Sequence, residues 1–332
     1  MKAFEYIRSE SSAQVVALLQ DGAGDALAIA GGTDLLAEVK EGIVSPATLV
    51  SLAEIPELQG IELDSDGLTI GAATTLAEIE GRPDIADGYT LLSQAISSVA
   101  TPQVRNVGTI GGNLCQRPRC WYYRSTLFDC LKKGGSICFA VEGESKYHAI
   151  IGAADCHIVH PSDVAVALVS LNAEVTLIGP DERRRLKLID FFHDGAADVS
   201  SENVLRPGEI LESIKVPAPT DSQRSAYIKA KERPAMDFAS SSVAAVLDIR
   251  GDTIQGARIT LGGVAPLPYV ARQAQDMLAG KRVHEVDTVA VGRLAVADAR
   301  PLRDNQYKVR MTANIVSRAI SDIFQSLDGS SS

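Results

Sequence analysis

Val107-Gly108-Thr109-Ile110-Gly111-Gly112-Asn113 opens a segment that closes at His160-Pro161-Ser162-Asp163, and all five cysteines of the chain fall between these markers: Cys115, Cys120, Cys130, Cys138 and Cys156. Four of them lie between residues 115 and 138, in a window that also holds Arg117, Arg119, Arg124, Lys132 and Lys133 against one acid, Asp129. Thiolate is the metal-ligating form of cysteine, and nearby cations stabilise it. The spacing Cys120-x9-Cys130-x7-Cys138-x17-Cys156 is too open for a zinc ribbon of paired CxxC knuckles and unlike the tightly spaced bacterial ferredoxin run. Four cysteines on an irregular loop can still hold a [4Fe-4S] cube. Pattern alone leaves three alternatives: that cluster, a zinc site of Cys156, His157, His160 and one further cysteine, or inert buried thiols. The odd cysteine number and the polar start Met1-Lys2-Ala3-Phe4-Glu5 speak against an exported disulfide framework.

At 332 residues the chain is long enough for two or three folding units. Its 45% apolar and 22% charged residues are those of an ordinary globular protein, and no apolar stretch has the length of a membrane span. A net charge of −10 with 5% aromatic residues excludes a dedicated nucleic-acid binder. The expected class is a cytoplasmic-type α/β or α+β protein that uses neither nucleic acid nor membrane.

Upstream of the cysteines, residues 4–7 read as a strand and Ala13–Gln20 as a helix capped by Ser11-Ser12 and stopped by Gly22 or Gly24. Ala26–Ala30 is a buried strand running into Gly31-Gly32-Thr33-Asp34-Leu35-Leu36. Two glycines after a strand allow a tight turn with exposed N–H groups, and Thr33 and Asp34 can cap the next turn of chain. Such a junction suits a pyrophosphate, although a plain strand-to-helix turn reads the same way. It is not GxGxxG, so a nicotinamide site of the Rossmann type has no support. Further strands are expected at 47–52 and 68–72, a helix capped by Thr74 or Thr75, and another over 89–100. Thr109–Asn113 repeats the double glycine and its open donors.

Downstream, 147–151 reads as a strand, 164–171 as a helix begun by Pro161-Ser162-Asp163, and 173–178 with 183–188 as a hairpin. Pro217-Ala218-Pro219 marks a boundary. Antiparallel strands follow at 226–230, 243–249 and 253–261, the last two joined at Gly251-Asp252. A helix is expected from Pro268 or Tyr269 to Leu278. Asn305–Phe324 is the best helix, with Val309, Ile315, Val316, Ala319, Ile320, Ile323 and Phe324 on one face. No repeat or low-complexity tract appears apart from Ser330-Ser331-Ser332. No nucleophile elbow or hydrolase triad is visible.

Three motifs in this order, Ala30-Gly31-Gly32-Thr33-Asp34, Thr109-Ile110-Gly111-Gly112-Asn113 and His160-Pro161-Ser162-Asp163, resemble the FAD-binding medium subunits of molybdenum hydroxylases, the group of xanthine dehydrogenase, carbon monoxide dehydrogenase and aldehyde oxidoreductases. The resemblance spans nearly the whole chain, including the Pro-Leu-Pro turn at 266–268. Gln116-Arg117-Pro118-Arg119-Cys120-Trp121-Tyr122-Tyr123-Arg124 is similar to the aldehyde oxidoreductase type, which carries an extra [4Fe-4S] cluster. The resemblance implies an α+β protein: a vanillyl-alcohol-oxidase-like (PCMH-type) FAD-binding domain over residues 1–220, with its cluster loop at about 114–158, and a small α+β C-terminal domain of the CO dehydrogenase flavoprotein type over 224–326.

It further implies that Ile29, Ala30, Gly31, Gly32, Thr33, Asp34 and Leu35 wrap the FAD pyrophosphate, with Thr109, Gly111, Gly112 and Asn113 as the second loop. Asp163 would hydrogen-bond the cofactor, and Ile210 and Leu211 would pack at the flavin ring. Lys229 would lie near the ring's outer edge, an ordinary solvated lysine being the other reading of that position. The implied cluster ligands are Cys120, Cys130, Cys138 and Cys156, with Cys115 spare. The implied partners are a large molybdenum-cofactor subunit and a small [2Fe-2S] subunit in a heterotrimer, possibly doubled. Electrons would pass from them through FAD to an external acceptor, with no substrate chemistry on this chain. The cytoplasm is the expected compartment, or the periplasm by co-export with a twin-arginine partner. The rival from another class is a stand-alone flavin oxidase with a structural zinc site in the cysteine loop.

Overall fold

Short apolar runs broken by glycine, or by a capping serine or threonine, set the alternation of elements in the first unit. It opens with β1 (Glu5–Arg8), α1 (Ser12–Asp21), β2 (Ala26–Ile29), α2 (Leu35–Glu41) and β3 (Thr48–Ser51), and its three strands pair in parallel in the order β1-β3-β2. Ser11 caps α1 by accepting from the Gln14 N–H, and Gly22 ends it. The structure is a computed structural model that describes residues 1–22, 24–193, 195 and 198–329, so the Ser330-Ser331-Ser332 tail lies outside the described residues.

Next come β4 (Ile61–Asp64), β5 (Gly67–Gly71), α3 (Leu76–Glu80), α4 (Pro83–Gly88), α5 (Thr90–Ser97), α6 (Pro102–Arg105) and α7 (Ile110–Leu114). Thr75 and Glu78 form a reciprocal capping box at the start of α3. The single helix expected over 89–100 is instead α5 alone, abutting α4 at Tyr89 and ending before Ala100, whose φ of +42° leaves the helical region. After the cysteine loop follow α8 (Asp163–Ser170), β6 (Glu174–Ile178), β7 (Arg183–Lys187), α9 (Leu188–Phe191) and β8 (Ile210–Pro217). They complete an antiparallel sheet in the order β4-β5-β8-β6-β7.

The second unit holds β9 (Gln223–Ala230), β10 (Ser241–Arg250), β11 (Thr253–Gly262), β12 (Tyr269–Val270), α10 (Arg272–Leu278), α11 (Thr288–Ala295) and α12 (Tyr307–Gly329). Its antiparallel sheet runs β12-β11-β10-β9. Tyr269 and Val270 pair with Leu261 and Thr260, so the helix expected from Pro268 or Tyr269 starts only at Arg272: the exposed edge of β11 takes these residues first. Val316, Ala319, Ile320 and Ile323 of α12 pack on this sheet with helical spacing.

Every residue of α8 is buried, because it is apolar all round and lies between the helices of the first unit and strands β10 and β11 of the second. Each such Val or Leu contributes about 1.5–3 kcal/mol relative to exposure. The helix therefore ties the two units together and fixes Asp163 at its start, with Ser162 as its cap accepting from Ala165 N at 2.9 Å.

Residues 147–151, expected as a strand, are irregular. Ile150 and Ile151 enter the core of the second unit, and both their N–H groups donate to the Val264 carbonyl. Side chains replace a partner strand here. Asn305 Nδ2 donates to the carbonyls of His148 and Ala149, and buried Lys308 Nζ donates to those of Tyr147, His148 and Gly263. Asn305 itself lies just outside α12.

Candidate cofactor cleft and cysteine pocket

The end of β2, the first turn of α2 and the start of α7 enclose a cleft of about 520 Å³. Ile29, Ala30, Gly31, Gly32, Thr33, Asp34 and Leu35 line it, as do Thr109, Gly112, Asn113, Asp163 and Lys229. Gly111, Ile210 and Leu211 do not. Ile210 and Leu211 sit on β8 with side chains in two different cores, and Gly111 turns towards Ala72.

Among the described residues, no internal acceptor takes the N–H groups of Gly31, Gly32, Thr33 and Asp34. Gly32 has a φ of +68°, a left-handed geometry that favours glycine. A Cβ on Gly31 would stand 1.8 Å from the Val107 carbonyl oxygen, so here the glycine serves the close approach of the two loops. The second loop differs from expectation. Gly111 N donates to Ala72 O, Gly112 N to the capping hydroxyl of Thr109, and Asn113 N to Thr109 O. Its donors are spent on starting α7, because Thr109 makes this segment a helix rather than an open turn.

Asp34 occupies the cap position of α2 but makes no side-chain cap bond. Its carboxylate accepts from Arg117 N (2.6 Å) and Arg124 Nη2 (2.6 Å), and pairs with Arg119 Nη1 (2.5 Å). Glu38 accepts from Tyr123 Oη at 2.5 Å, and Glu202 pairs with Arg117 (2.7 Å) and Lys132. The basic window of the cysteine loop is therefore mostly consumed by acids distant in sequence. Of its five cations, only Lys132 lines the thiol pocket. Four cations meet three carboxylates in this network, and Arg117 and Arg119 face the cleft.

Asp163 and Lys229 form a buried ion pair at 2.7 Å, with side chains 5% and 4% exposed, so Lys229 is not a solvated lysine. Tyr227 Oη donates to the other carboxylate oxygen, and Lys229 also donates to Ser98 O. Burial raises the Asp163 carboxyl against the opposing pull of Lys229. A second cavity of about 460 Å³ adjoins the cleft and shares Arg119, Pro161, Asp163, Asp237 and Phe238 with it. The Arg119 guanidinium lies over the Phe238 ring at 4.9 Å where they meet. His160, on the wall of the second cavity, is pushed down to about 4 by burial.

Cys120, Cys130, Cys138 and Cys156 line one small pocket, closed by Tyr122, Tyr123, Lys132, Phe139 and His148. Cys115 is not among them: it lies in the wall of the cleft, and burial raises its thiol to about 12. Burial also raises Cys120, to about 11. A hydrogen bond from Cys156 lowers Cys138 to about 5 and raises Cys156. Among the described residues, no group of three or more His, Cys, Asp and Glu side chains is arranged to hold a metal ion. The zinc alternative of Cys156, His157 and His160 gains nothing from this arrangement, since neither histidine lines the thiol pocket.

Residues 2–219 match the FAD binding domain in molybdopterin dehydrogenase, and residues 225–323 match the CO dehydrogenase flavoprotein C-terminal domain. The chain belongs to the molybdopterin dehydrogenase FAD-binding family. Among members of this family, the aldehyde oxidoreductase FAD-binding subunit PaoB of Escherichia coli strain K12 is 34% identical over 326 residues, covering 97% of this chain and 98% of the relative. The carbon monoxide dehydrogenase medium chain of Hydrogenophaga pseudoflava is 29% identical, covering 96% of each. A solved structure of carbon monoxide dehydrogenase from Hydrogenophaga pseudoflava superposes with a TM-score of 0.78 at 28% identity, covering 98% of both chains. The expected fold, a FAD-binding domain followed by a CO dehydrogenase flavoprotein C-terminal domain, is thus the one found.

Within that family frame, sequence reasoning left out Glu38, Tyr123, Glu202, Tyr227 and Phe238. The surplus of arginines in the cysteine loop was the available signal for the three carboxylates, since buried cations need partners. No local pattern marks Tyr227 or Phe238.

Proposed function

We propose that this chain is the FAD- and [4Fe-4S]-carrying electron-transfer subunit of a molybdenum-dependent hydroxylase of the aldehyde type. It would work with a large molybdenum-cofactor subunit and a small [2Fe-2S] subunit and deliver electrons to an external acceptor. One observation carries the cluster part: four cysteines spread over 37 residues line a single pocket, while the fifth lies in the neighbouring cleft. A lone ion draws its ligands to about 2.3 Å from one point. Among the described residues no group of side chains converges that closely, whereas four cysteine thiolates are the ligand set of a four-iron cube.

The cleft suits FAD. The free N–H groups of Gly31 to Asp34 offer a pyrophosphate donors, and Arg117 and Arg119, though paired with Glu202 and Asp34, line the same cleft. Asp163, held by Lys229 and Tyr227, presents a fixed carboxyl at the far end for orienting a polar ring edge. Gly111, Ile210 and Leu211 act from behind, as packing. Bound FAD supplies redox chemistry that links single-electron centres to a two-electron acceptor. The chain's own task is to bind and orient.

Aldehyde chemistry would reside on the large subunit, so the isolated chain should bind flavin and iron but turn over no aldehyde. Purification should give a structured flavin spectrum over a broad brown absorption, with iron and little zinc. Serine at Cys120, Cys130, Cys138 or Cys156 should remove the iron signal, and Cys115→Ser should leave it. Co-expressed with both partners, the flavin should bleach on adding an aldehyde. Zinc in place of iron, or aldehyde turnover by the chain alone, would overturn the proposal.

A further inference from the structure

We infer that His148 is a positioning residue for the cysteine-bound centre: its imidazole donates a hydrogen bond to the Cys120 sulfur and so raises the centre's reduction potential. The inference rests on the four-iron reading above. His148 Nε2 stands 3.2 Å from Cys120 Sγ. The ring is wedged between Trp121, edge-on at 5.3 Å, and Tyr122 at 6.0 Å, and the residue is 3% exposed. Its other nitrogen, Nδ1, is buried without a hydrogen-bond partner. The Ser145 carbonyl is another acceptor near the ring, but a ligating thiolate has no proton to give, so the Nε2–Sγ contact is a hydrogen bond only with the proton on Nε2. A proton on Nε2 points at sulfur, which as a ligating thiolate is an acceptor.

The backbone holds the ring there by an unusual route. The second unit fixes it: Lys308 Nζ in the first turn of α12 donates to the His148 carbonyl at 3.0 Å and Asn305 Nδ2, just ahead of that helix, at 3.1 Å, both from fully buried side chains. The neighbouring carbonyls of Tyr147 and Ala149 are taken by the same two residues. A hydrogen bond into a cluster thiolate withdraws electron density from sulfur and favours the more negative, reduced form.

The test uses the assembled complex, with iron assayed first. His148→Phe keeps the ring and its stacking while removing the donor. A redox titration followed by electron paramagnetic resonance should show the cluster midpoint shifted downward, with the flavin midpoint unchanged and iron content retained. An unchanged or raised cluster midpoint at full iron would overturn the inference. Should the phenylalanine variant lose its iron, the wild-type complex carrying 15N-histidine decides. Electron spin-echo spectra of its reduced cluster should show a weak nitrogen coupling, and its absence would equally overturn the inference. A wild-type complex without iron removes the four-iron reading itself, and the assignment of His148 falls with it.

Discussion

The two double-glycine loops look alike in sequence and do opposite things. Gly31-Gly32 leaves four successive N–H groups without internal acceptors among the described residues, whereas Gly111-Gly112 passes its N–H groups to Ala72 and Thr109. The difference traces to the polar residue beside each pair. Asp34 gives its carboxylate to three arginines instead of capping α2, while Thr109 caps α7 and closes the turn. A double glycine is therefore a permission, and the neighbouring polar residue decides whether donors stay free. The glycines of the two loops also fit each other, since Gly31 packs on Val107, just ahead of the second loop.

The strongest way to break this contrast is Gly31→Ala. Its Cβ would collide with the Val107 carbonyl, and backbone cannot swing aside like a side chain. Overpacking typically costs about 1–3 kcal/mol, and with backbone as the obstacle a loss near the top of that range is expected. Urea unfolding of the flavin-free protein should show it. Unaltered stability would mean that the loops can separate freely and that the glycine serves the ligand alone.

Acid should act on the second loop. His160 Nδ1 accepts from Ser162 N, and Ser162 Oγ donates to Asn113 Oδ1. Burial holds the His160 imidazole at about 4, below its ordinary 6.5. On acidification the unfolded chain takes up the proton first. Stability is thus full above about pH 6.5, falls as the pH drops towards 4, and levels off below it, by at most about 3 kcal/mol for this group. His148 is lowered to about 4 by burial as well, so His160→Phe should reduce the slope between pH 6.5 and 4.5 without abolishing it. A slope that His160→Phe leaves unchanged would place the acid sensitivity elsewhere.

The smallest effects sharpen the comparison most. Thr109→Ala removes a cap and should cost about 1 kcal/mol, with flavin occupancy nearly preserved. Thr33→Ala touches no hydrogen bond among the described residues and should leave flavin-free stability unchanged while weakening flavin retention. Thermal unfolding with flavin quantitation reads both, and reversed outcomes would swap the roles of the loops.

Much of the layout was legible because it is local. Period-2 and period-3.6 runs located most strands and half of the described helices, and Ser11, Thr75 and Ser162 appear where capping chemistry puts them. The failures at 147–151 and 268–270 share one cause. An apolar segment there is shaped by partners far along the chain, the side chains of Asn305 and Lys308 in one case and the edge of β11 in the other.

By itself the sequence determined the family, the order of motifs and the supply of five thiols and an arginine-rich loop, because these depend on residue identity and spacing. Only the tertiary structure decided that the arginines are spent on Asp34, Glu38 and Glu202, that Cys115 stands in the wall of the cleft, and that Lys229 is buried against Asp163. Those facts depend on distances between residues many positions apart. Such distances are set by how the two units pack together, with α8 buried between the helices of the first and strands β10 and β11 of the second, and no local pattern encodes them.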